Sequence, residues 1–459
     1  MSGGDFLESQ SVSTMPSDSE VIITDEFDGT ARTVRHKVIA PVATARQLLK
    51  KKTACQNVSR TVFHVLILGI TFFVLILLCI CLETWWSAKN SDLMFQPHTS
   101  EDATYHHGLV NYVNDPQNNA TWKAKYNRFA SKGMEEEEEK NDPNDKSKEK
   151  DNEVLRMFEE SKDSVFGDTL DYLSELIKRD DIILPETFDA RVRWPLCASI
   201  SRIQNQGSCG SCYAVSATSV ISDRICIQTN GSMQPQISSR DLLSCCSHCG
   251  TCGVQMNDEY KRTQQLIMLQ ELRGRIVTGG PYGSFEGCKP YDKSGSCGSP
   301  CSSDLYIQRD SDKICERKCQ SIYGRRYEDD LIRGRRAYWI KPIPNAEEYF
   351  PEFMKKVHAL VKNVSYEILI KRELLLRGPV MACYPVFDDF LHYSSGIYNK
   401  TAPNTRMLYG HCARLIGWGA ENGLGFWQYA NSWSHDWGEN GFFRVQIDNI
   451  PEEVASALY

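Results

Sequence analysis

Apolar positions are spread very unevenly along the chain. Residues 1–60 are polar and rich in Ser and Thr, with no sustained period, and read as a disordered tail. Val62 to Leu82 is then an almost unbroken apolar run, close to the ~20 residues a helix needs to span a bilayer. His64 is its one ionisable residue, and Trp85 and Trp86 follow at interfacial depth. The pattern predicts a transmembrane signal anchor over residues 61–83. Arg46, Lys50, Lys51, Lys52 and Arg60 precede the run, and Lys89 is the one nearby basic residue after it. This asymmetry predicts a cytosolic amino terminus and a luminal or extracellular remainder, the single-pass type II arrangement.

Residues 84–183 are polar again and include the acidic run Glu135–Glu139, read as a solvated linker within a stalk. From Leu184 to the carboxyl terminus aromatics, glycines and cysteines rise together, which predicts one compact domain over 184–459. Its first half carries helical patterns, one starting near Ser211. Its second half carries short aromatic-rich runs broken by glycine, such as Gly425–Tyr429 and Gly441–Ile447, which read as strands. Helices followed by strands predict an α+β domain with two lobes.

Composition narrows the function. The net charge is −7, and no basic stripe suits nucleic acid. Eighteen cysteines is a high number, and fifteen of them follow residue 190. That density predicts an oxidising compartment and a disulfide framework. Sequons at Asn119, Asn230, Asn363 and Asn399 agree with luminal exposure and are candidate glycosylation sites. Asn57 also heads a sequon, on the cytosolic side. Cys249 and Cys252 with His248 between them have a zinc-like spacing, but the oxidising compartment argues for bridges instead; no metal or cofactor is expected.

The segment Gln204-Asn-Gln-Gly-Ser-Cys-Gly-Ser-Cys-Tyr-Ala-Val215 runs from small flexible residues into a helical pattern. Cys212 would sit at the helix start, where the dipole and unpaired N–H groups favour a thiolate. The bland alternative is one more disulfide partner. A cysteine nucleophile needs a base and a group that orients the base. His411 lies in a strand-like run, and Asn431 follows it with Trp433 close behind. Asn431 would accept the His411 ring N–H, and Trp433 would shield that bond. Spacing alone does not show that the three residues meet.

Gln-x-Gln-Gly-Ser-Cys-Gly-Ser-Cys, a later Gly-His, Asn-Ser-Trp and Trp-Gly-x-Asn-Gly-Phe-Phe resemble the papain family, from Leu184 to the carboxyl terminus. Within it the chain resembles cathepsin B, through Ser222-Asp-Arg-Ile-Cys-Ile227, the pair Cys245-Cys246 and the cysteine-rich insert up to Cys319. The resemblance implies a helical lobe and a β-barrel-like lobe with a cleft between them. It implies a cysteine endopeptidase with Cys212 as nucleophile, His411 as acid/base, Asn431 as orienter and Gln206 as oxyanion donor. It implies polypeptide substrates, a monomer after processing, and a lysosomal, endosomal or secreted product. It also implies six bridges: Cys197–Cys226, Cys209–Cys252, Cys245–Cys315, Cys246–Cys249, Cys288–Cys319 and Cys297–Cys301. Cys383 and Cys412 remain. By resemblance they align with small residues of the pocket for the second substrate residue before the scissile bond. They form a seventh bridge, narrow the pocket, or stay as buried free thiols. Glu453 aligns with an acidic residue at that pocket's floor, or is a surface glutamate. Gly210, Gly253, Gly410 and Trp433 complete the expected substrate contacts.

Departures from the family pattern carry their own expectations. Tyr213 replaces tryptophan after the nucleophile. Val254 and Gln255 stand where the family has two glycines, and Tyr409 where cathepsin B has one. The loop between Cys297 and Cys301 lacks the histidine pair that makes cathepsin B an exopeptidase, which predicts endopeptidase activity alone. Leu109–Asn114 and Thr121–Phe129 resemble the cathepsin B propeptide, so an inactive zymogen is expected, with a mature start near Leu184. Two rival readings are a catalytically weak or inactive binding protein on this fold, and a membrane receptor with a cysteine-rich ectodomain.

Overall fold

The computed structural model describes residues 68–78, 100–127, 163–207, 209–246, 249, 275–292, 315–403 and 405–459. They belong to two units, residues 1–91 and 92–459. In the first unit residues 68–78 are helical, and their large apolar side chains, including Leu68, Phe72 and Phe73, are exposed. Among the described residues no helix is long and apolar enough to cross a membrane. The rest of the expected anchor, with Trp85 and Trp86, lies outside the described residues, as does the acidic run Glu135–Glu139.

The second unit is an α+β body. Its longer helices are α1 (Ser100–Asn114), α2 (163–177), α3 (Cys212–Gln228), α4 (Ser239–Cys245), α5 (Pro351–Val361) and α6 (Tyr366–Arg377). Its strands are β1 (Trp122–Ala124), β2 (Phe188–Asp189), β3 (Arg275–Ile276), β4 (Ile332–Arg333), β5 (Arg336–Lys341), β6 (Val380–Phe387), β7 (Tyr393–Tyr398), β8 (Met407–Glu421), β9 (Leu424–Ala430), β10 (Phe442–Gln446) and β11 (Glu453–Leu458). One sheet runs in the order β1-β7-β10-β9-β8-β6-β11-β5, with β2 added to β8; β3 and β4 form a separate pair. The fold is α+β as expected, but the order is less clean than the pattern predicted for residues 184–459: β2 to β5 precede α5 and α6, and the long run of strands begins only at Val380.

α3 is the central helix, packed on β8, β6 and β11 and buried from Ala214 to Cys226. Its small residues let the sheet approach closely. Its hydroxyls cost little to bury, because Thr218, Ser219 and Ser222 donate to helix carbonyls four residues back, at Ala214, Val215 and Thr218. Two ion pairs anchor it, one to α6 and one to β8. Arg224 meets Glu373 at 2.7 Å with both side chains fully buried, and Arg414 meets Asp223 at 2.9 Å.

The β8–β9 hairpin turns on Asn422-Gly423, both at positive φ (53° and 82°). Two such residues fit the right-handed strand twist, and they fix the pairing of β8 with β9. That register decides which residue after β9 faces which residue of β8.

Two parts of the expected stalk are folded onto the body. α1 and β1 form the first, with β1 pairing β7 through Trp122↔Gly396. Gly396 sits at φ 94°, and a Cβ there would lie 2.7 Å from the Thr121 carbonyl oxygen, so only glycine admits this strand. α2 is the second, and it lies over the β5 edge of the sheet.

The structure joins Cys197 to Cys226, Cys245 to Cys315, Cys246 to Cys249 and Cys288 to Cys319. Cys209 is also disulfide-bonded. Cys252, Cys297 and Cys301 lie outside the described residues. Asn119, Asn230, Asn363 and Asn399 are all exposed.

Candidate active site

Cys212 is the first residue of α3, directly after the cap position Ser211, and is the free cysteine among those described. The helix start supplies the N–H groups the sequence led one to expect there. Crowding outweighs them in this form. Burial pushes the thiol up, against the backbone N–H groups of Cys412, Tyr213 and Cys212 itself, which pull it down. Burial thus opposes the thiolate that the helix start favours. The Cys412 contact is informative, because it sets the thiol beside β8 at the residue next to His411.

His411 is buried on β8, with its Nε2 2.8 Å from Asn431 Oδ1. The same oxygen accepts the Ser432 backbone N–H at 2.8 Å. Two donors on one atom identify it as the amide oxygen, so Nε2 carries the proton and Nδ1 keeps the lone pair. Burial pushes His411 down to about 4, although the Asn431 bond pulls it up. Trp433, itself buried, lies with its ring 4.7 Å from the imidazole, and Tyr384 meets it edge-on at 5.7 Å. Among the described residues no hydrogen bond joins His411 to Cys212.

Gln206 is held from three sides. Its backbone N–H donates to Ser432 O at 2.8 Å, its Oε1 accepts from Ser432 Oγ at 2.6 Å, and its Nε2 donates to Cys209 O at 2.9 Å. Tyr291 was not singled out from the sequence, yet its hydroxyl bonds the Gln206 carbonyl at 2.7 Å and Ser211 Oγ at 2.6 Å. It bridges the oxyanion-donor candidate to the residue before the nucleophile. No pattern around Tyr291 announces that role, since it comes from a distant loop.

Cys383 and Cys412 are joined by a disulfide. They face each other on β6 and β8, and Glu453 of β11 faces Cys383. Directly opposed residues share a face, so the three make a row across three strands. Glu453 is buried, not a surface glutamate, and accepts the Trp339 indole N–H at 2.7 Å. Gly410 opposes Pro385 beside this row, and a Cβ there would meet nothing within 4 Å. Gly210 lies two residues before Cys212 in the same loop. Gly253, Val254 and Gln255 lie outside the described residues, and so does the Cys297–Cys301 loop.

α3 and β8 thus bring Cys212, His411, Asn431 and Gln206 into one neighbourhood, around a thiol and an oriented imidazole. That arrangement defines a class: hydrolases that work through a cysteine sulfur. Residues 184–457 match the papain family cysteine proteases, and the chain belongs to that family. It is similar to Cathepsin B-like cysteine proteinase 3 of Caenorhabditis elegans, at 38% identity over 284 residues, 60% of this chain and 66% of the relative. It is also similar to Cathepsin B-like cysteine proteinase 6 of Caenorhabditis elegans, at 36% identity over 345 residues, 73% of this chain and 78% of the relative. A solved structure, proCathepsin B S9 from Trypanosoma congolense, is 25% identical, covers 77% of this chain and 97% of its own, and superposes with a TM-score of 0.46.

Proposed function

We propose that the protein is a cysteine endopeptidase made as a membrane-anchored zymogen. The observation that carries the reading is the His411–Asn431 pair at 2.8 Å, beside a free thiol at the start of a buried helix. The Cys212 sulfur attacks a peptide carbonyl and forms a C–S bond, while its proton passes to His411 Nδ1. The resulting oxyanion lies against the Cys212 backbone N–H and the second hydrogen of Gln206 Nε2, the first being on Cys209 O. One such donor contributes about 3 kcal/mol in the transition state. His411 then protonates the leaving amine as the C–N bond breaks, and water releases the acyl-enzyme.

The row Cys412–Cys383–Glu453 would line the pocket for the second substrate residue. The bridge narrows it, and the Glu453 carboxylate at its floor favours arginine. Lack of the histidine pair between Cys297 and Cys301 supports endopeptidase action without dipeptide removal. The exposed apolar helix 68–78 and the basic flank before it support the type II anchor, and four exposed sequons support a luminal glycoprotein.

The test is to express residues 84–459 in an oxidising host, process the product and assay fluorogenic dipeptides. A Cys212→Ala control must be silent. A thiol-reactive epoxide should label Cys212 alone; a processed protein that neither cleaves nor reacts would establish the inactive binding protein instead.

A further inference from the structure

We infer that helix α2, residues 163–177, is a permanent part of the catalytic domain and stays on it when the precursor segment is removed. This sets aside a mature chain that simply begins near Leu184, and its link to substrate choice rests on the peptidase reading above.

α2 is built into the core. Val165, Tyr172, Leu173 and Leu176 are buried beneath it. Phe166 stacks on Phe353 at 4.1 Å and leans on Trp339, and Tyr172 stacks on Tyr338 at 3.8 Å. The polar contacts are as specific. β5 is the last strand of the sheet, so its outer edge presents unpaired donors. Asp168 Oδ2 accepts the Ala337 N–H at 3.2 Å and Thr169 Oγ1 the Trp339 N–H at 3.1 Å. The Tyr172 hydroxyl donates to Glu373 Oε2, the carboxylate that holds the fully buried Arg224. At the other end Arg372 donates to the Leu176 and Ile177 carbonyls, closing the helix terminus with a body residue.

Leaving would uncover this buried ion pair and the back of Trp339. Trp339 holds Glu453 through its indole N–H. α2 therefore stands directly behind the pocket row Cys412–Cys383–Glu453 and braces its floor. The exposed stretch Lys178–Asp181 follows the helix. A cut there would nick the chain without freeing α2, since none of these contacts depends on the connection.

The experiment captures the active species from the full-length chain. After activation, a biotinylated thiol-reactive epoxide is added, labelled protein is recovered without denaturant, and its intact and peptide masses are read. Labelled protein that carries residues 163–177, covalently or as a co-purifying fragment, is expected. Labelled protein that begins near residue 184 without that fragment overturns the inference. A failure to label at all would count against the peptidase reading and is recognisably different. A second readout uses Phe166→Ala and Trp122→Ala. The first should lower the melting temperature of the active species by about 4 °C or more, the second should leave it unchanged. Equal melting temperatures for Phe166→Ala and wild type would overturn the inference as well.

Discussion

His106 Nδ1 lies 2.9 Å from His392 Nε2, and both rings are fully buried. One ring belongs to α1, in the proposed precursor segment, the other to the body just before β7. His107 stacks on Tyr126 at 4.2 Å, Tyr126 covers the His392 ring at 5.7 Å, and Lys125 contributes its backbone N–H to the His392 carbonyl. The charged groups of this interface, Asp388 and Arg406, are paired with each other and with Tyr105.

This contact makes docking of the precursor segment sensitive to acid. Burial pushes His392 down to about 3, and His106 beside it adds to the shift. An undocked histidine returns towards its ordinary value of about 6.5. Between these values the docked form binds fewer protons than the undocked one. Docking is thus complete above about pH 6.5 and weakens as pH falls, by up to about 1.4 kcal/mol per unit for one proton. Peptidase activity released from the precursor should rise across this window. His106→Gln should move the rise to lower pH, and an unchanged profile would contradict the reading.

Asn431→Ala removes the acceptor that fixes the His411 tautomer. The bond contributes about 1–3 kcal/mol where it acts, so kcat should fall roughly tenfold to a hundredfold with KM little changed. Steady-state kinetics on the activated protein checks this, and an unchanged kcat would remove Asn431 from the mechanism.

Tyr291→Phe loses the hydroxyl shared by Gln206 and Ser211. Neither partner touches substrate through it, so the effect should be on positioning. We expect kcat to drop by about tenfold while epoxide labelling of Cys212 persists.

Cys383→Ala/Cys412→Ala opens the bridge across β6 and β8. Closing a loop of this size contributes about 3 kcal/mol, so the melting temperature should fall by several degrees. A peptide library should also show larger side chains accepted at the second position before the cut. An unchanged preference would mean that this row does not line the pocket.

Much of this was legible in the residues. Cys212 at a helix start, the strands after residue 380 and the candidate partners His411 and Asn431 follow from local pattern and from ordered motifs. That they meet was not, because the meeting depends on the β8–β9 register, set by Asn422-Gly423. The Cys383–Cys412 bridge is open in the sequence for the same reason: strand pairing decides it, and cysteine parity does not. The stalk reading of residues 84–183 missed how firmly α2 is held. Its polar residues look solvent-seeking in sequence, yet Asp168 and Thr169 are spent on the β5 edge.

The most direct measurement is the pH dependence of Cys212 alkylation by iodoacetamide in the activated protein, in wild type and His411→Ala. Wild type should react fast well below the ordinary thiol range, and the variant only as the free thiol ionises. Superimposable curves would show that the sulfur and the imidazole do not work as a pair.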